Sequence, residues 1–143
     1  MDEIEIMWSL VLILRRRLSE RLRSFGITLP QLHMIQLARR KGAISPSAAA
    51  AGLSCDRPTA CLVAQKCVAK GWLARRRVEA DHRSWRLELT GEGEELLDQI
   101  ERSKLTQIAA LGDPFDILSD DERSAFRSAL EKIGARATEL FES

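Results

Sequence analysis

The 143-residue sequence predicts a mainly α fold with a small β-hairpin, on three observations. Apolar residues recur at steps of three and four through both ends of the chain, the period of amphipathic helices. Two starts in which a hydroxyl residue precedes a proline, Thr28 before Pro30 and Ser45 before Pro46, open shorter helices between them. Over residues 72–89 the apolar period falls to two, as in strands.

In chain order, residues 2–25 carry Ile4, Trp8, Val11, Leu14, Leu18, Leu22 and Phe25 as one helical stripe, with Ile6, Leu10 and Ile13 as a second. This surface is wider than one packing partner covers, so the helix is expected to share it with another subunit. Gly26 stops the helix. Thr28-Leu29-Pro30-Gln31 supplies a capping box for the next, with Leu32, Ile35 and Ala38 inward and Lys41-Gly42 at its end. Ser45-Pro46 opens a very short, alanine-rich helix over 46–51; Gly52-Leu53-Ser54 is the expected turn, and a longer helix follows over 57–70. Short helix, glycine-containing turn, longer helix is the helix-turn-helix pattern, and alanine permits the close approach it needs.

Behind it, strands over 72–78 and 84–89 are joined by the polar tip Glu79-Ala80-Asp81-His82-Arg83, a hairpin placed as a wing. Thr90 caps a helix whose core stripe is Leu97, Ile100, Ile108 and Leu111, and Gly112-Asp113-Pro114 breaks it. Ser119-Asp120-Asp121-Glu122 is a capping box for a last helix with Phe126, Leu130, Ile133, Ala137 and Leu140 inward. The chain thus reads as one domain, 1–143. A winged helix-turn-helix over 28–90 is flanked by long N- and C-terminal dimerisation helices, 1–25 and 91–143.

The net charge of +1 conceals an asymmetry: residues 1–53 and 54–90 each hold eight Lys or Arg against four Asp or Glu, and residues 91–143 hold six against thirteen. The first ninety residues can face a polyanion and the acidic remainder cannot. Three cysteines without a CxxC pair, and only His33 and His82, leave no basis for a disulfide framework, metal site or cofactor. There is no P-loop, nucleophile elbow or dinucleotide fingerprint, so an enzyme is not expected. The run Leu10 to Leu14 meets Arg15-Arg16-Arg17 long before the ~18 apolar residues of a membrane span. Asp2, Glu3 and Glu5 stand where a secretory signal carries bases, so the expected setting is soluble and cytoplasmic, with no membrane partner.

Several motifs in order resemble the MarR family of winged-helix regulators over nearly the whole chain. They are Asp56-Arg57-Pro58-Thr59, Lys70-Gly71-Trp72-Leu73, Asp81-His82-Arg83-Ser84, Leu87-Glu88-Leu89-Thr90 with Gly93, and Leu118-Ser119 with Glu122. The resemblance implies a homodimer with interlocked terminal helices on a palindromic operator in double-stranded DNA. Recognition helices would lie in successive major grooves and wings in the flanking minor grooves. It further implies transcription regulation, as a repressor relieved by a small aromatic or phenolic effector, though no residue here selects such a ligand. The alternative is a winged-helix protein-interaction module with weakened DNA readout, suggested by apolar Leu62 and Val68 on the recognition helix.

The DNA-binding candidates follow from position. Arg57 and Thr59 occupy the first turn of the recognition helix, the part that reaches base edges, and arginine to guanine is the commonest specific contact. Lys66, Ser45 and Ser47 are placed for phosphates, with capping or solvation as the other reading. Arg75, Arg76 and Arg77 alternate on a strand, so at most two, Arg75 and Arg77, face DNA together. Arg83 suits a narrow minor groove, or is a solvated turn arginine. Asp81 resembles the family's orienting acid, or is a turn former.

Cys61 and Leu62 depart from the polar or basic residues the family carries there. They imply either methyl contact with thymines or a helix that has lost part of its DNA role. Cys61 stands near a helix N-terminus and Arg57, which favours oxidation, or it is an inert contact. Cys55 and Cys67 read as small buried hydrophobes. Residues 1–25 hold no cysteine of the kind that peroxide-sensing members use. His33 reads as a surface or capped residue, and Trp8, Trp72 and Trp85 as packing anchors.

Overall fold

Each helix begins where a side-chain oxygen accepts from its first free N–H groups. In the computed structural model, which describes residues 1–78, 81–111 and 113–141 and the side chains of all these except 81–84 and 104–111, Asp2 and Glu5 form a reciprocal capping box on α1 (Glu3–Leu22). A 3₁₀ turn, Arg23–Phe25, follows and closes on left-handed Gly26. Thr28 and Gln31 form the second box, on α2 (Leu29–Lys41). Ser45 Oγ accepts from Ala48 N at 3.1 Å to start α3 (Pro46–Leu53), and Asp56 Oδ1 from Thr59 N at 2.8 Å to start α4 (Arg57–Ala69). Strands β1 (Leu73–Val78) and β2 (Asp81–Leu89) precede α5 (Gly91–Leu111). Ser119 and Glu122 box the start of α6 (Asp120–Phe141).

The chain divides into two compact units, Met1–Arg102 and Ser103–Ser143. In the first, a core of Leu22, Met34, Ile35, Ala49, Ala60, Leu73, Leu87 and Leu97 gathers the end of α1, α2, α3, α4, the hairpin and the start of α5. Arg39 on α2 pairs with Glu94, Asp98 and Glu101 on α5. These carboxylates, Glu101 foremost through its hydrogen bond, raise the Arg39 pKa. The hairpin is antiparallel, with Leu73 opposite Leu89, Arg75 opposite Leu87 and Arg77 opposite Trp85, and with a register shift between Arg77 and Val78. Ile44 and Leu87 exchange both backbone hydrogen bonds at 2.9 Å, which anchors the wing to the chain entering α3. In the second unit Phe115 and Phe126 lie 5.8 Å apart between ring centroids, and Arg123 reaches Asp113 at 2.7 Å.

The fold matches the expected one, a mainly helical chain with a two-stranded antiparallel hairpin, with local corrections. The short helix runs through Gly52 and Leu53, so the turn begins only at Ser54, in left-handed conformation at φ 51°. Gly52 serves helix contact instead: a Cβ there would lie 2.4 Å from Leu37 Cδ2. Asp81 and Arg83 belong to β2 rather than to a tip between strands. Leu97 and Ile100 are buried as expected, joined by Leu96, while the side chains of Ile108 and Leu111, and Gly112 as a whole, lie outside the described residues.

The largest correction concerns α6, where no described residue is buried; Leu130, Ile133 and Leu140 are exposed and Phe126 and Ala137 half-exposed. An amphipathic stripe has one pattern whether a core or another molecule covers it, so periodicity alone pointed inward. On α1 likewise only Leu22 is buried, and Trp8, 63% exposed, is no packing anchor within the chain.

Candidate nucleic-acid interface

The segment entering α4 is fixed by its own residues. Hydrogen bonds from the Thr59 side chain and backbone hold the Asp56 carboxyl below its ordinary range, and Pro58 suits the first turn. One row of α4, Ala60, Ala64 and Cys67, is buried, and its small side chains let α2 and α3 approach. Burial pushes the Cys67 thiol up to about 12.

The opposite face presents Pro58, Leu62, Gln65, Lys66 and Ala69 to solvent, with Arg57 and Thr59 at its N-terminal end. Leu62 is 59% exposed at the middle of this face. Cys61 and Cys55 are half-exposed, and Val68 packs against the core. The two apolar residues that suggested a protein-interaction face therefore do not share one.

In the wing, Leu73 and Leu87 are buried, and the strand alternation puts Arg75, Arg77 and Trp85 on their side of the hairpin, with Arg76, Arg86 and Glu88 on the other. The Arg75 guanidinium stands 4.5 Å from the centre of the half-buried Trp85 ring, a cation–π contact. Arg76 is paired with Glu88 at 2.8 Å. Arg77 and Arg86 are exposed. The side chains of Asp81 and Arg83 lie outside the described residues, although their backbones belong to β2, where Asp81 pairs with Val78.

The base of the wing is locked to the start of α5. Thr90 Oγ1 donates to the Gly71 carbonyl at 2.6 Å and accepts from Gly93 N at 3.0 Å, while Thr90 N donates to the Trp72 carbonyl at 3.1 Å. A Cβ on Gly93 would lie 2.3 Å from that same carbonyl, which explains a glycine three residues beyond the threonine.

Of the residues singled out from sequence, Arg57, Thr59, Cys61, Leu62 and Lys66 are thus brought together on or beside the outer face of α4, and Arg75 and Arg77 on one face of the wing. Ser45 is a helix cap, and His33 is an exposed surface residue. Trp72 and Trp85 pack against the core as anchors. Gln65 and Arg86 escaped the sequence reading. Gln65 was legible by its spacing, three residues after Leu62 on the same helix face. Among the described residues no group of three or more His, Cys, Asp or Glu is placed to hold a metal ion, and no helix is long and apolar enough to cross a membrane.

No family model and no curated protein matches the sequence. Solved structures do match its fold. A mutant of MarR from E. coli in complex with operator DNA superposes with a TM-score of 0.77 at 23% identity, covering 90% of this chain and 91% of that one. A MarR protein from Peptoclostridium difficile gives 0.80 at 17%, covering 96% and 88%. BpsR from Bordetella bronchiseptica, whose DNA binding is regulated by 6-hydroxynicotinic acid, gives 0.62 at 24%, covering 88% and 98%. With its helix-turn-helix, its hairpin wing and its long terminal helices, this chain has the fold of the MarR-type winged-helix regulators.

Proposed function

We propose that the chain is a MarR-family transcription regulator that binds double-stranded DNA as a homodimer, without catalytic activity of its own. The observation that carries this reading is the outer face of α4. It is a row of exposed side chains with arginine, threonine, glutamine and lysine on it, set directly before a wing that exposes Arg75, Arg77 and Arg86. In winged helices of this kind the second helix of the pair enters the major groove, while the wing meets the backbone or minor groove. On this reading Arg57, Thr59, Cys61, Leu62 and Lys66 face the major groove, and Arg75, Arg77, Asp81 and Arg83 form the wing contact.

Residues 28–90 are then the DNA-binding part of a single domain, and 1–25 and 91–143 the dimerisation helices. The apolar faces that α1 and α6 leave exposed support the dimer. A two-fold dimer implies a palindromic operator. The neighbours with bound operator and with a regulating pyridine acid support a DNA partner and a small-molecule effector. Repression relieved by an aromatic or phenolic ligand, in the cytoplasm, is the corresponding mode of action.

Selection of bound duplexes from a random pool tests the reading. The expected product is an inverted repeat with half-site centres about 10–10.5 bp apart. A pool that stays unenriched after repeated rounds would contradict it.

A further inference from the structure

Leu62 is the single large apolar side chain that stands exposed between residues 15 and 116 among the described residues. It lies opposite the buried row of α4, with Pro58 one turn before it and Gln65 and Lys66 one turn after, all exposed. Resting on the DNA-binding reading above, we propose that this face selects A·T base pairs. Leu62 packs on a thymine C5-methyl group, and the Gln65 amide takes the N6 and N7 edge of a neighbouring adenine.

The chemistry of the two side chains fits that target. The thymine methyl is the apolar group that the major groove displays, and a glutamine amide matches adenine with one donor and one acceptor. Residues three apart on a helix have Cβ atoms about 5–6 Å apart. That separation spans one to two base steps of about 3.4 Å. The neighbours narrow the choice further. Thr59 stands about one turn before Leu62, at the N-terminal end of the face, where its backbone N–H donates to Asp56 Oδ1 at 2.8 Å. Lys66 supplies charge without a bidentate pattern. A docked protein is the poorer occupant, because a single leucine ringed by Pro58, Thr59, Gln65 and Lys66 is no contiguous apolar patch, and Val68 is turned to the core.

The test uses the full chain and the duplex chosen by selection from a random pool, with each thymine replaced in turn by deoxyuridine, which lacks only the methyl group. For the unsubstituted protein, one thymine per half-site should show a loss of affinity of about four-fold, and about fifteen-fold when both half-sites are replaced. L62A should bind the thymine and deoxyuridine duplexes equally. Q65A should lose about ten-fold or more of its preference for adenine at the neighbouring pair, with the methyl effect intact. Both positions are exposed, and an unchanged helical circular-dichroism signal checks that each variant is folded. Indifference of the wild type to deoxyuridine at every thymine, or a wild-type methyl effect persisting in L62A, would overturn the proposal while leaving DNA binding standing. Failure to enrich any duplex would instead overturn the DNA-binding reading, and this one with it.

Discussion

Gly93 sits so close to the Trp72 carbonyl that any side chain must displace backbone. Gly93→Ala is therefore expected to destabilise the fold by about 1–3 kcal/mol in denaturant unfolding. An unchanged midpoint would show that the junction between wing and α5 yields freely. Cys67 gives a pH signature. Its thiol is raised in the folded state to about 12 from an ordinary 9.0, so the unfolded chain loses the proton first. Its contribution is complete below pH 9 and is lost as the pH rises toward 12, by about 1.4 kcal/mol per pH unit across that window. With no tyrosine in the chain to titrate alongside, Cys67→Ala should give a shallower alkaline fall in stability than the wild type. Parallel falls would contradict the assignment.

Caps were the most legible residues, because a cap needs only an oxygen a few positions from a free N–H; Thr28, Ser45, Thr90 and Ser119 all act as their spacing predicts. Gly52 was not legible. A glycine near a turn has the same local pattern whether it bends the chain or admits Leu37.

At the scale of elements, the wing carries three adjacent arginines with three environments. Arg76 is paired to Glu88, Arg75 lies over Trp85, and Arg77 is exposed. Alternation along the strand was readable in advance, but the partners depend on register, which the hairpin sets across the chain. Trp85 is expected to hold Arg75 in place for the nucleic acid. Trp85→Leu should weaken duplex binding about two- to five-fold without altering its salt dependence, since the charge remains. Arg75→Ala should both weaken binding and lower the salt slope. Equal slopes for wild type and Arg75→Ala would place that arginine away from phosphate.

The apolar stripes of α1 and α6 were equally readable; the double stripe of α1 pointed to another subunit, whereas the single stripe of α6 could not tell a core from a subunit contact, because both impose the same period. Removal of residues 1–14, which carry the exposed Ile4, Trp8, Val11 and Leu12, should convert a dimer to monomer or aggregate in sedimentation. A folded monomer that still binds DNA tightly would refute the role given to this helix.

For the whole molecule, charge and topology point the same way. The basic excess falls in the first ninety positions, which include the α4 face and the wing, and the acidic excess falls in residues 91–143. The order of elements was legible because helix-turn-helix and hairpin follow each other with distinctive punctuation. Which residues of α4 face outward was less so, since helix exposure depends on how α2 and α3 pack against α4. Binding to duplex DNA through a basic helix face and wing is read most plainly by titrating affinity against salt. A dimeric winged-helix regulator should give a linear fall of log affinity with log salt, with a slope of about −0.9 for each phosphate it neutralises, several phosphates in all. Arg83→Ala should make that slope shallower by about one for each wing, because each wing then neutralises one phosphate fewer. Affinity for duplex DNA that is absent, or flat across salt, would contradict the account.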